Sequence, residues 1–381
     1  MLALRLARGT HPLVLTRRLL VAAAAAGVGF LLLCTLGYAV GHPDRSSVSV
    51  LRLLWCALPL AATVQFAVAV ARTDPSTRPR PGLSAVGLGP ARLTAIAAAS
   101  TAVACTLGST VALLFYLHLR GDITGLPFDG AAAELLAADQ PIPLAGALTL
   151  LAVLPVVAAT AAGLALRPRT APAAPEGVEK AMPSGLPWGI ALVAVGLAIE
   201  TYAAQGDSGG GLPLPGGLDG NPAGVLAGWV LTAVGLAVAG PGLTYGCGRL
   251  LQAVRPGATR LLAGRVLMDE SRRIGRPLGV VSAVISGALA AATLYDADAD
   301  AFGPLTGLGA ALILACTTAT LLTAALESRQ GRAHTTEALL RIGAPPTVLR
   351  TAALLRAGAL FAVFAPLTWA VAELAALPLK G

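Results

Sequence analysis

The sequence predicts an all-α, polytopic bundle of about nine transmembrane helices, and three observations carry that prediction. Of the 381 residues 56% are hydrophobic and only 12% charged, too few polar side chains to cover a water-soluble body of this size. The apolar residues come in runs of about 18–25, the length a helix needs to cross a hydrocarbon core roughly 30 Å thick. A transmembrane barrel would instead show short alternating segments. Finally, the basic residues are bunched between the runs, where charge orients a membrane protein.

Taken in order, the runs are approximately 19–40, 48–71, 94–119, 142–166, 186–204, 223–246, 278–295, 305–327 and 351–375. The first follows Arg17 and Arg18. It exceeds the roughly 7–15-residue apolar core of a signal peptide and is read as a retained helix. The segments 120–141 and 205–222 are rich in Gly, Pro and Asp, with at most a short interfacial helix near Ala131–Ala138. Segment 167–185 mixes Pro, Ala and charge without apolar periodicity and reads as a linker.

Threading the runs alternately from a cytoplasmic N-terminus places 22 of the 27 basic residues in cytoplasmic segments. Only Arg45, Arg52, Arg120 and Lys380 fall outside, and Arg356 lies within the last run. A dropped or added helix would invert this bias downstream, so the threading is internally consistent and places the chain, multi-pass, in the cytoplasmic membrane. The formal net charge of +8 is thereby explained by topology, without a nucleic-acid partner.

Little else in the sequence carries chemistry. The five cysteines form no C-x-x-C pair, and the four histidines lie in separate segments, so no metal site is indicated. There is no G-x-x-x-x-G-K-[ST] loop, no H-E-x-x-H and no G-x-S-x-G, and no enzyme activity or cofactor is expected of this chain. Glu200 and Glu373 fall near outer ends of runs and read as interfacial. Arg356 is read as snorkelling toward the inner headgroups. The scarcity of ionisable groups near the midplane disfavours a secondary carrier. Two faces of small residues in the seventh run, Ser282–Ser286–Ala290 and Ala283–Gly287–Ala291, are expected to pack against other helices.

An internal duplication is expected as well. An offset of 256 residues superposes 19–40 on 275–296, 48–71 on 304–327 and 94–119 on 350–375 without a gap. At the same offset Leu83, Val86, Gly87, Pro90 and Leu93 fall on Leu339, Ile342, Gly343, Pro346 and Leu349. The shared pattern, Leu-x-x-(Val/Ile)-Gly-x-x-Pro-x-x-Leu, describes a local structure. The first two apolar positions share one face of a short helix. The glycine stops that helix in the left-handed conformation, and the proline starts the next one, where its missing N–H costs nothing.

These residues resemble the FtsX-like (MacB-type) permease family of ABC transporters, in which an inner segment of the kind L-R-A-L-G-A-x-x-x-Q-L leads into a spanning helix. Residues 336–350 are the closer copy and 83–93 the more divergent one. The resemblance implies a first permease repeat of four spans at 1–170, a two-span linker at 171–250, and a second repeat of three spans at 251–381 without its last helix. It also implies that the short inner helices are coupling helices received by a separate, dimeric ATP-binding subunit, with Leu83, Val86, Gly87, Pro90, Leu339, Ile342, Gly343, Pro346 and Arg341 as contact residues. Arg78, Arg80 and Arg332 are candidates for further interfacial pairs. The large extracytoplasmic domain usual in that family has no room in 41–47 or 296–304, and Ser100 and Arg356 stand where members often carry Glu. A membrane scaffold or sensor accessory without transport is therefore the alternative. The substrate is not legible.

Overall fold

The computed structural model describes residues 12–74, 89–123, 130–133, 136–167, 183–205, 223–253, 257–295, 303–343 and 345–377. Among these every regular element is helical. Nine stretches are long and apolar enough to cross a membrane, which makes the chain a multi-pass membrane protein. They match the nine runs expected from the sequence, with two differences of detail.

The helices are α1 (Pro12–Gly41), α2 (Ser46–Trp55), α3 (Ala57–Thr73), α4 (Pro90–Arg120), α5 (Leu144–Ala165), α6 (Gly185–Gln205), α7 (Ala223–Ala253), α8 (Ala258–Tyr295), α9 (Pro304–Gly331), α10 (Ala333–Arg341) and α11 (Pro346–Ala376). The second run is two helices, α2 and α3, meeting at Cys56, whose N–H still reaches the Arg52 carbonyl at 3.2 Å. The seventh run is longer than its apolar part. At 38 residues α8 extends about 57 Å at 1.5 Å per residue, well beyond a bilayer core.

The arginine-rich stretch before residue 278, outside the apolar run, is the first half of α8. Ala263, Leu267 and Ser271 are buried there while Arg265, Asp269, Arg272 and Arg276 are exposed. That three-to-four-residue spacing is helical, and it keeps a charged helix folded outside the hydrocarbon. In place of the short helix expected near Ala131–Ala138, the described residues of that stretch form turns.

The chain divides into two compact units, Met1–Pro172 with Pro304–Cys316, and Ala173–Gly303 with Thr317–Gly381. In the first, α1 packs along α4 and α4 along α5 around Leu33, Cys34, Ala112, Tyr116, Ala147 and Leu151. In the second, α7 lies between α6 and α8, and α8 packs on α11. Polar bonds tie that last pair inside the span. Ser282 and Thr368 share a hydrogen bond of 2.6 Å, and Ser286 donates to the Thr368 carbonyl at 3.0 Å. Of the two small-residue faces expected on α8, only Ser282–Ser286–Ala290 is buried, and Gly287 meets nothing.

Candidate coupling site

The second copy of the shared pattern forms an elbow over residues 332–346, all described except Ala344. It starts at Arg332, whose guanidinium Nε lies 3.0 Å from Glu270 of α8 and 3.2 Å from the Ser328 carbonyl, with Nη2 3.0 Å from Ser328 Oγ. A looser contact of 4.0 Å joins Arg273 to Glu327. The base of α10 is thus fastened to the protruding half of α8 by a charge pair that is largely withdrawn from water, its side chains 26% and 14% exposed.

From that base α10 runs nine residues to Arg341. Ile342 continues helically, its N–H bonded to the Ala338 carbonyl at 3.1 Å. Gly343 then turns left-handed at φ +93°, its N–H on the Leu340 carbonyl at 3.0 Å. A side chain at this φ would be strained, and so glycine occupies the position. Pro345 is extended, and Pro346 takes the first turn of the 31-residue α11.

What the elbow presents is apolar. Ile342 is 85% exposed and Leu340 45%. Arg341 is exposed as well and bonds Glu337 one turn earlier at 2.6 Å, an i,i+4 pair that steadies a short helix by about 0.3–0.5 kcal/mol. Pro346 is also exposed. Leu339 lies within α10.

For the first elbow, Leu83, Val86 and Gly87 lie outside the described residues. Its exit is described: Gly89 is extended, and Pro90 starts the 31-residue α4, as Pro346 starts α11. Leu93 is buried, its N–H on the Gly89 carbonyl at 3.2 Å. The approach is fastened too, by an ion pair between Arg18 of α1 and the buried Asp74 that ends α3. Each described elbow segment therefore adjoins an ion pair made across the helix that precedes it.

Among the described residues no three His, Cys, Asp or Glu side chains converge on a point where a metal could bind. One titratable group departs from its sequence reading. Glu200, expected at the interface, is fully buried against α7 and accepts a hydrogen bond from Trp229 Nε1 at 2.5 Å. Position along a run placed it near an end, but the helix face it occupies turns it inward. Arg356, by contrast, is half-buried on α11 between the exposed Leu354 and Phe361.

No family model, curated protein or solved structure matches the chain.

The fastening of α10 yields a first prediction. Glu270→Gln keeps the side-chain volume and removes the charge facing Arg332. It is expected to cost about 1–2 kcal/mol locally, between the values for exposed and buried pairs. Amide hydrogen exchange should rise several-fold in 333–343 and stay unchanged in α4 and α5. Unaltered exchange in α10 would show that the ion pair does not hold the elbow.

Proposed function

We propose that this chain is the membrane-spanning permease subunit of an ABC transporter of the FtsX-like type. It lies in the cytoplasmic membrane with its N-terminus inside and is worked by a separate, dimeric ATPase subunit. The reading rests on the second elbow: an isoleucine 85% exposed at the tip of a short helix, between a base fastened by Arg332 and Glu270 and a proline-started spanning helix.

A spanning helix shifts when the helix rigidly joined to it is pushed, and this elbow has the parts for that transfer. The left-handed glycine lets the chain turn from α10 toward α11, and the apolar tip gives a partner something to bury. Burial of Ile342 and Leu340 in a groove on the ATPase would contribute roughly 1.5–3 kcal/mol each. Supporting a duplicated design, the proline that starts α4 and the one that starts α11 stand 256 residues apart. An ion pair joins α1 to the end of α3, and another joins α8 to α9, although the 256-residue offset does not superpose the paired residues. ATP is bound by the partner in this reading, and the chain's own role is mechanical, in transport or in transmembrane signalling.

The test is capture of ABC-class ATPase subunits from the native membrane, with a photoreactive amino acid introduced at position 342 for crosslinking. Ile342→Asp should lower ATPase recovery at least about tenfold, as expected when roughly 1.5–3 kcal/mol of apolar burial is lost, and Gly343→Asp should lower it too, because a side chain strains the left-handed turn. Full recovery with both variants, and no crosslink from position 342, would remove the coupling role.

A further inference from the structure

We infer that the α6–α7 hairpin holds a proton-binding site within the membrane, with Glu200 as the ligand of the proton and carried as the neutral acid. The inference stands apart from the transporter reading and does not depend on it.

The geometry begins with two glycines. Gly196 of α6 and Gly228 of α7 face each other so closely that a Cβ on Gly228 would lie 2.6 Å from the Gly196 carbonyl oxygen and 2.9 Å from Glu200 Cβ. One turn beyond Gly196 on α6 stands Glu200, and one turn beyond Gly228 on α7 stands Thr232. Both are buried, Glu200 entirely and Thr232 to 6% exposure.

The hydrogen bonding is incomplete in a way that points to a ligand. Glu200 Oε1 accepts from Trp229 Nε1, while Glu200 Oε2 and Thr232 Oγ1 have no partner. An ionised carboxylate so placed would have one indole N–H to stabilise it and no counter-charge, an arrangement that buried charges avoid. α6 carries no basic residue, and the one on α7, Arg249, lies about five turns from Trp229. Of the other elements against α6, α8 contributes Ala290 and α11 contributes Ala375 and Ala376, which meet Leu197. The ionisable group α11 carries within a turn of those alanines is an acid, Glu373, and Tyr202 of α6 is 83% exposed.

A hard metal cation needs a shell of several oxygens, and one carboxyl with one hydroxyl does not supply it. A proton needs a single oxygen. On Oε2 it removes the charge that a single indole N–H leaves uncompensated. Release of that proton would set an uncompensated charge between two helices in backbone contact and favour their separation, so occupancy of the site couples acidity to closure of the hairpin.

Infrared difference spectra of the full chain in lipid bilayers test this. Wild type minus Glu200→Gln should show the C=O stretch of a protonated carboxylic acid at neutral pH, retained in Glu373→Gln. A carboxylate stretch in its place at neutral pH overturns the proposal. Glutamine keeps the acceptor for Trp229, so the variant is expected to fold. On the wild-type protein alone, dicyclohexylcarbodiimide should modify Glu200, because the reagent attacks protonated carboxyls in apolar surroundings. Absence of an adduct at Glu200 counts equally against it.

Discussion

Gly275→Ala is expected to destabilise the protein by about 3 kcal/mol, while Gly287→Ala, the same change twelve residues further along α8, is expected to stabilise it slightly. At Gly275 the added Cβ would lie 2.5 Å from Pro241 Cα and 2.7 Å from both Pro241 N and the Gly240 carbonyl oxygen. These are backbone atoms of α7 and, at a proline, stiff ones, so the helices must part. Overpacking of a filled core costs about 1–3 kcal/mol, and a clash with backbone belongs at the upper end. At Gly287 nothing lies within 4 Å. There the gain is the lower backbone entropy and better helix propensity of alanine, about 0.5–1 kcal/mol. Thermal unfolding in mild detergent should separate the two variants in opposite directions. Equal melting temperatures would mean that α7 and α8 do not meet at Gly240 and Gly275.

The contrast shows what the sequence made legible and what it did not. Spans are a bulk property of long apolar runs, additive over many residues, and they survived the error of any one boundary. Facing is not additive. Ala283–Gly287–Ala291 and Ser282–Ser286–Ala290 are equally small and equally spaced, but only the second is buried. Which stripe meets a neighbour depends on how α8 is rotated, and composition does not record rotation. The inward facing of Glu200 is illegible for the same reason, since it follows from the close contact at Gly196 and Gly228. The first half of α8 is not legible because arginines obscure the helical spacing of the buried Ala263, Leu267 and Ser271. The elbow was legible because its residues act locally: glycine for a left-handed φ and proline for a helix start act within a few residues of themselves. Fastening of its base by Glu270 was not, since that partner is 62 residues away in sequence.

The basic residues that the sequence places on the outer side are the exceptions to an otherwise consistent charge bias, and two of them have local partners. The Arg52 guanidinium carbon lies 3.6 Å from the centroid of the Tyr38 ring, which in turn stacks on His42. Arg120, at the end of α4, is 7% exposed. Its charge is taken up locally, and so it reports on packing rather than on which way the chain was inserted.

Arg120→Met is accordingly expected to cost about 2–4 kcal/mol, although a surface reading of this residue would predict almost nothing. The guanidinium Nη2 donates to the Gln140 carbonyl and, at 3.3 Å, to the Ala138 carbonyl. Nε stands 3.3 Å from Asp122 Oδ2, a charge contact without hydrogen-bond alignment. Charge-assisted hydrogen bonds contribute about 1.5–3 kcal/mol each, and water reaching the freed carbonyls recovers part of the loss. Methionine keeps most of the apolar stem beside Tyr116, Leu33 and Gly37, which line the same small site, so the loss is that of the clamp and not of packing. The segment held is the turn-rich stretch that leads into α5, and its release should appear as faster proteolysis between residues 121 and 143. Arg120→Lys should restore protection only in part, because an ammonium cannot set one nitrogen on the two carbonyls and a second beside Asp122. If Arg120→Met leaves both melting and cleavage unchanged, the arginine is a surface charge after all, and its place among the exceptions has no structural cause.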